Sequence, residues 1–260
     1  MLTTLAGYRT IAADMTRALS TTAANPQVAR ATAYYLDNIG NVKSIDDFLA
    51  DDQLFTYAMK AFGLKDMAYA KAFMRKVLTE GTDKDDSFAN SLADHRYREF
   101  AETFNFVRYK EATTVFDSTR QGTVDRYVRQ TLEEDAGSQN EGVRLALYFE
   151  RKAAGIDSAL DILADKALLR VVQTALGLSS ATSAMDIDRQ ALMIADRLNL
   201  EDLKDPEKLQ SFLTRFASLW ELQNPTTSSA SPALLFAQPL ELGIGGDLLA
   251  SLQNHKLGGA

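Results

Sequence analysis

Two histidines, His95 and His255, and no cysteine leave this 260-residue chain few side chains that titrate near neutral pH. His95 directly follows Asp94, and a carboxylate beside an imidazole could begin an acid–base pair. Neighbours on a helix point in different directions, so these two do not face each other, and a histidine at a helix start or surface is the expected role. The chain has no HExxH motif, no nucleophile elbow and no P-loop. GIGG at 243–246 lacks both the preceding strand and the third glycine of a dinucleotide fingerprint. Asp46, Asp47, Asp51 and Asp52 offer oxygen donors of the kind a hard cation takes. Asp47 and Asp51 each stand just before a helical run, however, where a carboxylate accepts free N–H groups and opposes the helix dipole. Asp83, Asp85 and Ser87 begin like a calcium loop, but Phe88 stands where the turn glycine belongs and Asp94 where the closing glutamate belongs. Helix capping by Asp85 or Asp86 is expected there. Tyr34, Tyr35, Tyr57 and Tyr69 fall at helical spacings and read as core or half-buried packing. These residues predict no catalytic centre, no metal site and no cofactor.

The elements that must position them are helices. The five prolines are Pro26, Pro206, Pro225, Pro232 and Pro239, and none interrupts the stretch from Gln27 to Asp205. Asn25–Pro26 and Asp205–Pro206 have the form of a polar N-cap followed by proline at the first helical position. Val28, Ala31, Tyr35, Leu36 and Ile39 make one helical stripe, which Gly40 is expected to stop in a left-handed turn. Leu209, Phe212, Leu213, Phe216, Leu219 and Trp220 make a longer one. Similar segments lie at Gln53–Phe62, Met67–Leu78, Phe88–Phe106, Val124–Glu134, Gly142–Ala153, Ala167–Leu176 and Arg189–Leu198. The best strand candidate is the short ATTVF at 112–116. The pattern predicts an all-α, multihelical fold.

An internal repeat organises these helices. DFLADDQLFTYAMKAFGL (47–64) aligns without gaps on DILADKALLRVVQTALGL (161–178), with eight identities in eighteen positions. Tyr34–Tyr35 falls on Tyr148–Phe149 at the same offset, and FAETF (100–104) on FLTRF (212–216) at nearly that offset. Asp47 and Asp51 recur as Asp161 and Asp165, as caps would. The predicted organisation is an internal duplication: a first helical repeat over 1–106, a second over 107–224, and a linker with an apolar tail over 225–260.

Composition bounds the partners. A formal net charge of −7 argues against binding a nucleic-acid backbone or an anionic membrane surface. No run of about eighteen apolar residues is present, so no membrane span is expected. The N-terminal segment lacks a basic start and a continuous apolar stretch, so no Sec-type signal is expected. The absence of cysteine fits a cytoplasmic protein, or one exported by a specialised secretion system. The linker PTTSSASP leads into a tail that holds Leu234, Leu235, Phe236, Leu248, Leu249 and Leu252 among few charges. That composition is too apolar for an inert disordered tail, and these six residues are the expected partner-binding positions.

The string SIDDFLADDQLFTYAMKAFGLKDMAYAKAFMRKVLTEG, followed by SFANSLADHRYREFAETFNF, resembles an uncharacterised bacterial multihelical family, a domain of unknown function often encoded among flagellar genes. AFGL at 61–64 and FANSLAD at 88–94 are its most specific parts. The likeness runs from about Tyr8 to Phe106 and recurs more weakly in the second half. The resemblance implies a multihelical fold and a flagellar context, and it carries no catalytic or ligand residues. The expected function is therefore a non-enzymatic structural or assembly role through protein–protein contacts, with flagellar components among the partners. The alternatives are a cytoplasmic export chaperone or regulator, and a small-molecule binder or enzyme with a pocket between the repeats, lined by Tyr97, His95 and Arg98.

Overall fold

In the computed structural model, which describes residues 3–225, the two polar-residue–proline pairs start helices as their chemistry requires. Asn25 Oδ1 accepts the Gln27 N–H at 2.9 Å ahead of a helix over Pro26–Ile39. Asp205 Oδ1 accepts from Glu207 and Lys208 at 2.9 and 3.1 Å ahead of one over Pro206–Gln223. The first half of the chain holds α1 (Thr4–Ala12), α2 (Met15–Ala23), α3 (Pro26–Ile39), α4 (Ile45–Ala50), α5 (Asp52–Ala61), α6 (Lys71–Glu80), α7 (Phe88–Ser91), α8 (His95–Thr103) and α9 (Phe106–Tyr109). The second holds α10 (Gln121–Gln139), α11 (Glu141–Lys152), α12 (Ala159–Ala164), α13 (Lys166–Leu176), α14 (Ile187–Ala195) and α15 (Pro206–Gln223). The fold is all-α and multihelical, with no strand among the described residues. No helix among them is long and apolar enough to cross a membrane.

Two expectations about local structure need correction. The segment Phe88–Phe106 is not one helix: Leu92 is extended (ψ 135°), and Asp94 starts α8 by accepting the Arg96 N–H at 3.0 Å. Gly40 stays right-handed (φ −65°), and among the described residues the positive-φ glycines are Gly63, Gly81 and Gly177. ATTVF, the best strand candidate, lies largely in a 3-10 turn over Lys110–Val115, in keeping with the all-α reading.

The same local geometry occurs in both halves. α4 and α5 begin at Ile45 and Asp52, α12 and α13 at Ala159 and Lys166, a common shift of 114 positions. At that shift Ser44 and Ser158 both N-cap, and the Asp47 and Asp161 carboxylates both reach back to an N–H four residues earlier, at 3.1 Å. Asp51 caps α5 and accepts the Tyr34 hydroxyl at 2.8 Å, while Asp165 caps α13 and accepts the Tyr148 hydroxyl. Gly63 and Gly177 end the paired helices at φ 70° and 66°, and the N–H of the next leucine closes a 2.8 Å bond in each half.

Two hydrophobic cores result. The first is aromatic: Phe48 stacks on Phe104 at 4.7 Å and meets Phe55 edge-on at 5.6 Å, with Phe100 completing the cluster. The second is mainly aliphatic around Phe149, Phe216 and Trp220. The cores do not part at residue 106. α10 crosses between them, giving Val124 and Val128 to the first and Ala136 to the second. α1 sends Leu5, Tyr8, Ile11 and Ala12 into the second core although it precedes the first.

Candidate interaction surface

The connector from α9 to α10 inverts the usual placement of polar and apolar side chains. Thr113, Thr114 and Thr119 are fully buried, and each hydroxyl donates to a backbone carbonyl: Thr113 to Lys110 at 2.8 Å, Thr114 to Val42 at 3.0 Å and Thr119 to Phe116 at 2.8 Å. Thr123 reaches the Ser118 carbonyl at 3.0 Å, and the buried Tyr35 hydroxyl donates to the Thr119 carbonyl. Hydroxyls therefore hold this backbone from within. Its apolar side chains face out, Val115 at 66% and Phe116 at 42% exposed, as do Val107 (44%) and Tyr109 (41%) on the preceding α9. The Tyr109 and Phe116 rings meet edge to face at 4.8 Å. Lys110 adopts φ 50°, the one positive φ of a described non-glycine residue, and such strain persists only where the surroundings impose it. Arg108 pairs with Asp83 at 2.8 Å beside the patch. Chemically, the surface offers aromatic and aliphatic contact area with the Arg108–Asp83 pair beside it.

Beneath α1, a polar cluster joins α10 to α11. Glu133 is buried and accepts from Arg129 Nε at 3.0 Å and from Arg151 Nε at 2.8 Å. Arg129 also donates to the Leu147 carbonyl at 3.0 Å. Glu150 Oε2 is buried without a hydrogen bond, and burial pushes its carboxyl above the usual range against the pull of Arg129, with Glu133 adding to the rise. Burial likewise raises the Tyr8 phenol, with the Glu150 charge as a second cause. Between the cores, Glu99 on α8 takes Lys152 Nζ of α11 at 2.6 Å. Burial alone would raise the Glu99 carboxyl, but Lys152 with Arg126 and Arg151 outweighs it and holds it low.

The residues singled out from sequence disperse. His95 is the exposed first residue of α8, and Asp94 caps that helix while pairing with Arg96 Nη2 at 2.7 Å. Tyr97 packs inward on Phe73 at 5.2 Å and Arg98 meets Glu102, so His95, Tyr97 and Arg98 line no common cavity. A shallow depression of about 330 Å³ lies instead between Leu198 and Phe212, wholly within the second half. The acidic four divide: Asp46 pairs with Arg75 and Asp52 with Lys71, while Asp47 and Asp51 serve helix starts. Asp85 and Asp86 do not cap; Glu80 Oε2 accepts the Phe88 N–H at 2.7 Å in their place, reached across the turn at Gly81. Tyr35 and Tyr57 are core, stacked at 4.5 Å, and Tyr34 is half-buried, but Tyr69 is 82% exposed. Leu234, Leu235, Phe236, Leu248, Leu249, Leu252, His255 and GIGG lie outside the described residues. Sequence reading missed the connector, whose signal is the run of threonines flanking Val115–Phe116, and it missed Glu133, whose signal is Arg129 four residues earlier on a helix that must be buried on two sides.

The fold and surface define an all-α protein with two cores on a shared helix. Residues 61–209 match the family described as a protein of unknown function, DUF1217, and the chain belongs to that family. It is similar to protein AGR_C_984 of Agrobacterium tumefaciens, known from an X-ray crystal structure, at 51% identity and a TM-score of 0.78, over 84% of this chain and 93% of that one. No curated protein matches the chain.

Proposed function

We propose that this protein is a non-enzymatic structural or assembly component, built from a duplicated helical unit, that acts through protein–protein contacts in flagellum building. The observation that carries the reading is the connector face. Val115 and Phe116 stand exposed on a backbone fixed from inside by buried threonines, with Tyr109 of α9 against Phe116, so docking a partner there costs little ordering entropy. The flagellar setting rests on the family resemblance. The apolar positions of residues 234–252 supply a second contact to the same partner.

The test is affinity capture from cells with three tagged forms: the natural chain, a Val115→Ser/Phe116→Ser double variant, and a chain ending at residue 224. Flagellar components should accompany the natural chain and be lost from both altered forms, with thermal melting of the double variant within a few degrees of the parent, since Val115 is mostly exposed and Phe116 gives up only its partial packing on Tyr109. Equal recovery with all three forms removes the connector and the tail from the reading.

A further inference from the structure

α1 sits on its core by tertiary contacts alone. The Thr4 N–H and hydroxyl both donate to Glu221 Oε2, at 2.9 and 2.7 Å, and Thr4 Oγ1 meets the Asn140 side chain at 3.1 Å. These partners are 217 and 136 residues away in the chain. Asn140 in turn caps α11 through the Gly142 N–H at 2.9 Å, and a Cβ at Gly142 would overlap Trp220 and the Thr4 methyl. The start of α1, the start of α11 and the end of α15 thus form one close-fitted latch.

The link from α1 to the rest of the chain is, by contrast, a single turning residue. Ala13 is still helical (φ −63°, ψ −29°), whereas Asp14 (φ −144°, ψ 70°) breaks the helix and caps α2 by accepting the Arg17 N–H at 2.9 Å. One residue therefore sets the direction of roughly 14 Å of helix. The seat under α1 is partly polar, because Tyr8 lies beside Glu150 and Arg129. Lifting α1 hands these groups to water, which lowers the cost of opening relative to a purely apolar seat.

We propose that α1 is an exchangeable strap: the groove of α11 and α15 accepts the α1 of a second copy of this chain, and two chains strap each other reciprocally with Asp14 as the hinge. The exchanged dimer keeps every contact between strap and groove, because the same residues meet; only the chain that supplies α1 changes. Protein concentration then sets the balance between monomer and dimer. Removing the cap that bends the chain at Asp14 favours a continuous helix from α1 into α2 and shifts the balance towards exchange.

The cysteine-free chain makes exchange readable by a disulfide. A Cβ built at Gly7 lies 4.0 Å from Val143 Cβ, within disulfide reach, and 2.8 Å from Val143 Cγ2, so the Gly7→Cys chain also carries Val143→Ala to keep its own strap seated. Val143 is buried beneath α1, so it meets Gly7 of another molecule only when straps are exchanged. Gly7→Cys protein mixed with Val143→Cys protein at high concentration and then oxidised should give a covalent heterodimer at twice the 28.6 kDa chain mass. Asp14→Ala in both chains should raise that yield several-fold and, without any cysteine, double the mass found by light scattering. Circular dichroism checks that Asp14→Ala keeps its helicity; if it does not, Asp14→Glu, a helix former whose longer side chain does not make the cap, takes its place. Absence of the heterodimer in both hinge backgrounds, with a hinge variant that stays monomeric, overturns the proposal.

Discussion

At the scale of the residue, buried charge sets how this protein responds to pH. Burial raises the Glu150 carboxyl above its ordinary value of 4.5. The native state therefore holds that proton when the unfolded chain has released it, and stability falls as pH rises from that value through the folded one. Glu99 works the other way, since Lys152 and its neighbours hold it low: its stabilisation is present above its ordinary value and is lost as pH falls through the folded one. Glu150→Gln removes the penalty of ionising a buried carboxyl while keeping the shape. Its melting temperature should exceed that of the parent at pH 7 and approach it near pH 4. A difference between the two proteins that does not change with pH would show that Glu150 is not the group titrating.

At the scale of the element, two glycines end equivalent helices in left-handed geometry, and Gly177 is the cleaner to probe. Its φ of 66° is one that L side chains rarely adopt, and a Cβ there meets no atom within 4 Å. Gly177→Ala should thus cost the backbone strain alone, about 1–2 kcal/mol in urea denaturation, and Gly177→Asn should cost less because asparagine tolerates this region. A neutral Gly177→Ala would mean that the end of α13 can be redrawn without cost. The connector shows the complementary case. No helix cap or glycine fixes it; four threonine hydroxyls do, and that arrangement leaves Val115 and Phe116 facing solvent.

At the scale of the whole molecule, α10 belongs to both cores, and α1 returns to the second from the far end of the chain. Lys60 on α5 also pairs with Glu134 on α10 at 3.1 Å, and Glu99 on α8 with Lys152 on α11 at 2.6 Å. Neither core can open without disturbing α10, so the described body should unfold in one transition. The single tryptophan, Trp220, reports on the second core only, whereas far-ultraviolet dichroism reports on both. The two melting curves should superimpose. A tryptophan transition displaced from the dichroism transition would mean that the cores unfold independently despite the shared helix.

Local rules were enough to reach the helices and their starts. Proline placement, Asn25 and Asp205 as caps, and the aspartates ahead of α5 and α13 follow from the backbone's need to satisfy the N–H groups at a helix start, a need that depends on a few neighbouring residues. The sequence also showed the likeness of 47–64 to 161–178, because equivalent helix faces ask for equivalent side chains. It misplaced the break at Leu92 and the exposure of Tyr69, where helical spacing alone does not say which face is covered. Tertiary structure alone decided that α1 crosses to the second core, that α10 serves both, that Glu133 is buried between two arginines, and that the connector turns its threonines in and Val115 and Phe116 out. Each of those depends on contacts between residues distant in the chain, and periodicity along one helix carries no information about which neighbour its apolar face will meet.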